Sequence, residues 1–305
     1  MGVEGRLGTV RARGAALGDG RVQAPFGARP ATITAREQLG PYLVLGCSDP
    51  AGPRPQAGQF YMLRAAERWG GGAGERPFLP RAFSVLRAPP GGDELQFMIE
   101  DVGPGTRRLC ELSAGDELVL VGPLGLGFTP PREGRRAVLV GGGVGIAPLA
   151  IWQDQVESAG ADSIGGIAPG AIPGADLTVL LGFRDGAHAA GAALLAGARV
   201  ATDDGSAGHR GLVTELLEAE LGGGAHAELG GGAHAEVYAC GPPAMLEAVR
   251  ALCAERGVPA QLALESGMAC GYGACFGCVV ATRDGYIRLC VDGPVLDAAR
   301  LEAVR

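Results

Sequence analysis

From Ala31 onward the chain is written in short apolar runs, Ala31–Ala35, Tyr42–Cys47, Gln59–Arg64, Ala82–Leu86, Leu95–Glu100 and Glu117–Val121, divided by turns rich in Gly and Pro. Runs of this length, spaced by about 10–15 residues, predict a small antiparallel barrel or sandwich. Glu67–Pro80, with Gly70–Gly74 at its middle, reads as a loop insertion between two barrel strands. The pattern changes near Arg136. Ala137–Val140 is a continuous apolar strand that runs into a glycine turn and then a helix over Leu149–Ser158, with Pro148 in its first turn. Strands over Leu177–Gly182, Arg199–Thr202, Glu236–Cys240 and Gln261–Leu264 then alternate with helices over Leu212–Ala219 and Pro243–Arg256. Such alternation predicts a parallel α/β sheet. The last forty or so residues hold a cysteine loop, a hairpin around Arg283–Gly285 and a short tail.

The expected fold is therefore multi-domain, β and α/β: an extension at 1–29, an antiparallel β-barrel at 30–134, a parallel-sheet α/β unit at 135–262 and a small C-terminal domain at 263–305. Two tracts interrupt the α/β pattern. Ser163–Ala175 is rich in Gly, Pro and Ala, and Leu221–Glu236 is Leu-Gly-Gly-Gly-Ala-His-Ala-Glu written twice. His226 and His234 invite a metal reading, but a duplicated surface loop accounts for them more simply.

Composition narrows the function classes. At 305 residues and 47% hydrophobic the chain can bury more than one core, and a net charge of −7 without long single-sign runs argues against nucleic acid and anionic membrane as partners. All 26 cationic residues are arginines, a compositional bias with no functional reading. No apolar segment follows the start and no run of 18 apolar residues occurs, so the expectation is a cytoplasmic protein with reduced thiols.

Four of the eight cysteines, Cys270, Cys275, Cys278 and Cys290, are spaced C-x4-C-x2-C-x11-C. The first three have the spacing of a plant-type 2Fe–2S loop, with a distant fourth thiolate closing the site. Iron needs soft anionic ligands, and one short loop can bring three of them together only if it turns sharply, which Gly271, Gly273 and Gly277 allow. Zinc also takes four cysteines, usually as two C-x2-C pairs, and disulfides need an oxidising compartment; the cluster is the favoured reading. Cys47, Cys110 and Cys253 carry no assigned role.

Four further regions point to nucleotide chemistry. Arg81-Ala82-Phe83-Ser84 places a guanidinium suited to pyrophosphate and a hydroxyl suited to a ring nitrogen on one extended strand. Met98-Ile99-Glu100 and the turn Val102–Thr106, with Gly105 and Thr106, add backbone N–H groups and a hydroxyl for phosphate at a helix start. Gly141-Gly142-Gly143-Val144-Gly145 is a strand-to-helix turn that lets phosphates approach the backbone, although it does not match G-x-G-x-x-G. Cys240-Gly241-Pro242 ends a strand at the sheet edge where ligands bind, and Cys240 is expected beside a nicotinamide ring.

In this order the motifs resemble the ferredoxin–NAD(P) reductase superfamily over about Ala31 to Gln261. The resemblance implies that Arg81, Ala82, Phe83, Ser84, Met98, Ile99, Glu100, Gly105 and Thr106 hold FAD. It likewise implies that Gly141, Gly142, Gly143, Gly145, Cys240, Gly241 and Pro242 hold NAD. Ala82 stands where that family usually has proline, which loosens the strand without removing a contacting side chain. Glu265–Val280 followed by Cys290–Val295 resembles, more narrowly, the electron-transfer subunits of NAD-dependent (class 1B) dihydroorotate dehydrogenases. That resemblance implies FAD, a 2Fe–2S cluster and a separate FMN-containing catalytic subunit, in a heterotetramer that passes electrons from dihydroorotate to NAD⁺ in pyrimidine biosynthesis. No general base for orotate is expected here. The rival readings are another iron–sulfur NAD(P)H reductase subunit and a non-enzymatic redox sensor. Asp185 beside Arg184 favours NAD over NADP, and Glu265 is expected to shape the flavin or nicotinamide site.

Overall fold

The computed structural model describes residues 27–70, 77–158, 177–222 and 234–302. Most of the expected extension, the Gly70–Gly74 tract beyond Gly70, the Ser163–Ala175 tract and most of the tandem repeat, His226 included, lie outside the described residues.

Six strands close the barrel: β1 (Arg29–Leu39), β2 (Tyr42–Ser48), β3 (Phe60–Ala65), β4 (Arg81–Arg87), β5 (Glu94–Glu100) and β6 (Glu117–Leu124), in the order β1-β2-β5-β4-β3-β6. Every described pairing in it is antiparallel. Its interior is packed by Ile33, Leu45, Tyr61, Leu63, Leu86, Phe97, Ile99 and Leu120. One helix, α1 (Pro104–Cys110), lies between β5 and β6. Pro104 suits the first turn because its missing N–H would have no partner there, and Thr106 Oγ accepts the N–H groups of Val102 and Gly103 at 3.0 Å each.

Seven strands form the second body. They are β7 (Arg136–Gly142), β8 (Leu177–Phe183), β9 (Ala198–Thr202), β10 (His209–Arg210), β11 (Ala235–Cys240), β12 (Ala260–Ala263) and, from the far end of the chain, β15 (Val295–Asp297). The order is β10-β9-β8-β7-β11-β12-β15, parallel except for β15, which runs antiparallel to β12. β7 and β11 are buried at every position because both of their faces are covered. The connecting helices include α2 (Ala147–Ser158), α3 (Val213–Gly222) and α4 (Pro243–Arg256). The tail is thus more than an appendage: Val295–Asp297 completes the sheet edge. Between β12 and β15 stand the cysteine loop, the hairpin β13 (Val279–Thr282) and β14 (Gly285–Arg288), and the single turn α5 (Leu289–Asp292). No described helix is long and apolar enough to cross a membrane.

Barrel and sheet meet through an aromatic cluster. Phe128, on the linker, packs on Trp152 of α2 and Tyr238 of β11, with ring centroids 5.3–5.9 Å apart. Inside the sheet body, Glu220 of α3 is buried and bridges Arg136 at 2.8 Å and Arg199 at 2.9 Å. Removing one partner of a buried pair leaves an uncompensated charge, so Glu220→Ala is expected to lower unfolding free energy by about 3–5 kcal/mol. Urea titration of the variant checks it.

Candidate functional site

The strand ends and the returning tail create two adjoining cavities. The first, about 230 Å³, lies against the barrel and is lined by Phe60, Ala82, Phe83, Ser84, Met98, Glu100, Val102 and Thr106, then Val144 and Ala147 from the glycine turn and α2, and Leu264, Glu265, Ser266, Met268 and Pro294. The second, about 680 Å³, opens at the carboxyl end of the parallel strands, where such sheets bind ligands. Its walls include Gly142, Gly143, Gly145, Gly182, Arg184, His188, Asp203, Thr214, Gly241, Pro242 and Met245. Glu100, Val144 and Glu265 line both cavities, so the two share a wall.

The barrel side offers an anion cradle. Arg81 begins β4, and a Cβ on Gly105 would lie 2.6–2.8 Å from its guanidinium, so the side chain rests on the bare backbone of the turn. Its Nη1 donates to the Leu79 carbonyl at 2.6 Å, and no described carboxylate pairs with it. A guanidinium beside a helix start with no described counter-charge fits a pyrophosphate. Of the residues expected here, Ala82, Phe83, Ser84, Met98, Glu100 and Thr106 line the cavity. Ile99 does not: strand alternation turns it into the barrel, where it is fully buried.

On the sheet side the glycine turn and the Cys240–Pro242 corner are brought together. A Cβ on Gly145 would meet the Cys240 carbonyl carbon and oxygen and Gly241 Cα at 2.6 Å each. Gly143 adopts φ +54°, in the left-handed region that favours glycine, with no atom within 4 Å of where its Cβ would be. Gly141 lies beneath the turn against Ile146, Leu149 and Leu181, supporting the cavity without lining it. Cys240 is likewise inside, 1% exposed, and is not among the cavity-lining residues. Burial, and then the charge of Glu265, drive its thiol far above the usual range. Glu265 opens onto the cleft, yet protein crowds it enough to raise its carboxyl above the ordinary value.

A charged network seals the far side of the shared wall. Arg184 reaches Glu100 at 3.3 Å and Asp185 at 3.6 Å, and it contacts His188, whose Nδ1 lies 2.6 Å from Asp185. The Tyr42 hydroxyl, buried among these residues, has no partner among the described residues. His188 and Tyr42 carry no local motif, whereas His234 of the repeat lines neither cavity.

The four predicted thiols all lie in the C-terminal domain. Gly271 and Gly273, at φ +81° and +88°, turn the loop, and Gly271 lies against Met62 of β3. The thiols fall into two pairs. Cys270 is hydrogen-bonded with Cys275, and Cys290 with Cys278, whose Sγ also accepts the Cys290 N–H at 3.4 Å. Burial pushes the Cys270 thiol up, but the N–H groups of Cys275, Tyr272 and Ala274 outweigh it and bring it down to about 6. Cys290 goes the other way, to about 12, through burial and then its neighbours Cys278 and Cys270. Among the described residues no group of three or more His, Cys, Asp or Glu side chains is drawn together around one point, and all eight cysteines are free thiols. Two thiol pairs with amide N–H groups directed at sulfur suit an iron–sulfur cluster, and eight free thiols speak against disulfides.

A closed antiparallel barrel, a parallel α/β sheet and a cysteine loop between them define a ferredoxin–NADP reductase-like fold carrying an iron–sulfur domain. The solved structure of an NADH-dependent reduced ferredoxin–NADP oxidoreductase shares that fold, with a TM-score of 0.69 and 23% identity over 92% of each chain. Residues 265–302 match the iron–sulfur cluster binding domain of dihydroorotate dehydrogenase B. The electron transfer subunit of dihydroorotate dehydrogenase B (NAD(+)) from Clostridium perfringens is 31% identical, over 81% of this chain and 87% of that one. Its counterpart from Caldanaerobacter subterraneus subsp. tengcongensis is 34% identical, over 80% and 86%. The chain belongs to the family of dihydroorotate dehydrogenase B electron transfer subunits.

Proposed function

We propose that the chain passes electrons from dihydroorotate, oxidised on a separate FMN-containing catalytic subunit, to NAD⁺, on the route to orotate and UMP. The observation that carries this reading is adjacency. Met268 and Pro294, which flank the four thiols in sequence, line the barrel-side cavity, and that cavity shares Glu100, Val144 and Glu265 with the sheet-side one. Three sites in series are what a relay needs, because the protein's task is to fix distance and orientation between groups that do the redox chemistry.

In this reading 30–134 is the FAD domain, 135–262 the NAD domain and 263–305 the 2Fe–2S domain. When bound, FAD supplies two-electron and one-electron chemistry, the cluster one-electron chemistry and NAD⁺ a hydride acceptor. Arg81, Gly105 and Thr106 would bind the flavin's pyrophosphate, and Ser84 would hydrogen-bond its ring system with Ala82, Phe83 and the Met98–Glu100 strand alongside. Gly142, Gly143 and Gly145 would admit the NAD phosphates, with Gly241 and Pro242 facing them and Gly141 and Cys240 beneath. Cys270, Cys275, Cys278 and Cys290 would ligate iron. Arg184 is already engaged by Glu100 and Asp185, which disfavours a 2′-phosphate and supports NAD over NADP. Tyr272, Phe276 and Tyr286 stand exposed on the cluster domain, and we assign them to the face that meets the catalytic subunit, within a heterotetramer in the reducing cytoplasm.

Two measurements test the cofactor assignments. Protein purified anaerobically should hold about two irons and one FAD per chain, with about one flavin and no iron overturning the cluster reading. Gly105→Ala should lower FAD affinity about tenfold, since the new methyl displaces a flexible guanidinium rather than backbone. Titration of the apoprotein reads it.

A further inference from the structure

Trp69 stands outside both cavities, on the loop that follows β3, and one of its neighbours gives it a role. The Arg81 guanidinium lies over the Trp69 ring, 5.8 Å from the centroid. The ring is held there by ties to α1, the helix that begins beside Gly105. Arg108 donates to the Glu67 carbonyl at 3.4 Å, and Arg68, itself at φ +54°, pairs with Glu111 at 2.6 Å. Arg108 also reaches Glu111 at 3.3 Å, and Gly70 closes the loop by donating to the Pro77 carbonyl at 2.9 Å. A residue in left-handed backbone and three polar ties fix the four residues Glu67–Gly70, whose one large apolar side chain is the indole.

The Arg81 fork is thus defined by three neighbours: the indole face, the bare backbone of Gly105 and the Leu79 carbonyl. None of the three is a carboxylate, so the arginine is oriented but not neutralised. An aromatic face attracts a guanidinium without consuming its N–H donors, as a carboxylate would. We propose that Trp69 is a positioning residue for dinucleotide binding: it holds the Arg81 guanidinium so that its remaining N–H groups face the anion site at Gly105 and Thr106. The inference rests on the reading of that site as the FAD pyrophosphate cradle.

The test uses apoprotein of the full chain, titrated with FAD and, separately, with riboflavin, which lacks the pyrophosphate. Trp69→Leu, which keeps apolar volume without a π face, should weaken FAD binding about tenfold and leave riboflavin binding within about twofold. Trp69→Phe should restore most of the loss, and Trp69→Leu should add nothing further in an Arg81→Ala background. Equal losses for FAD and riboflavin would make Trp69 a packing residue and overturn the inference. FAD affinity unchanged in Trp69→Leu would overturn it too, with the cradle intact. Wild-type apoprotein that fails to bind FAD would remove the cradle reading itself, and the inference with it.

Discussion

Cys278→Ser is expected to abolish dihydroorotate-linked NAD⁺ reduction while leaving flavin binding and NADH oxidation by ferricyanide within about twofold. Cys278 is 2% exposed, sits beside Cys290 and accepts its N–H at 3.4 Å. A serine hydroxyl can take that N–H, so the loop keeps its local hydrogen bond; what is lost is the soft thiolate that iron needs. Changing residues merely outside a metal's ligand shell costs about 10–100-fold, so loss of a ligand should cost at least about a hundredfold in coupled turnover. The barrel-side cavity touches the cluster domain through Met268 and Pro294, neither of which needs to move. Retained FAD with lost visible iron–sulfur absorption is the expected signature. Loss of FAD as well would mean that the cluster domain props up the barrel cavity and would remove the separation between the two sites.

Gly145→Val is expected to weaken NADH binding by at least about a hundredfold, equivalent to about 2.7 kcal/mol, with FAD retained. The new Cβ would lie 2.6 Å from the carbonyl carbon and oxygen of Cys240 and from Gly241 Cα. All three belong to backbone at the end of a central strand, paired on both sides with β7 and β12, so the strand cannot retreat. The turn must lift instead, and with it the N–H groups that would hold the NAD phosphates. Overpacking of this kind costs about 1–3 kcal/mol even where side chains can adjust. Gly143 provides the contrast. With no atom within 4 Å, Gly143→Ala faces only the left-handed backbone penalty of about 1–2 kcal/mol and should bind NADH far better than Gly145→Val. Fluorescence titration with NADH separates the two.

Much of this arrangement is legible in the order of residues along the chain. The six barrel runs, the strand-turn-helix at Gly141–Gly145 and the cysteine spacing each follow from local pattern, because turn chemistry and ligand spacing are local properties. The residues that join the sites are not. Leu264, Ser266, Met268 and Pro294 enter the barrel-side cavity only because the chain returns across β3 and β6 after β12, and no periodicity records that path. β15 is three residues long and looks like tail until it pairs with β12. Cys240 is hard to place for a related reason: β11 is buried along its whole length, so its sequence does not say which side chains approach the cavity. Ile99 shows the converse, since one residue of a correctly read strand turns inward while Met98 and Glu100 reach the cavity. The Arg184–Glu100 contact, which ties sheet to barrel across 84 positions, is beyond any local reading.

The relay is tested most directly by an anaerobic assay of dihydroorotate-dependent NAD⁺ reduction, with this chain and an FMN-containing dihydroorotate dehydrogenase from the same source, together and apart. NADH formation that needs both proteins and disappears with Cys275→Ser is the predicted result. A chain that oxidises NADH with artificial acceptors yet never couples to dihydroorotate, with its iron and FAD in place, would contradict the account and leave a general NAD(P)H reductase in its stead.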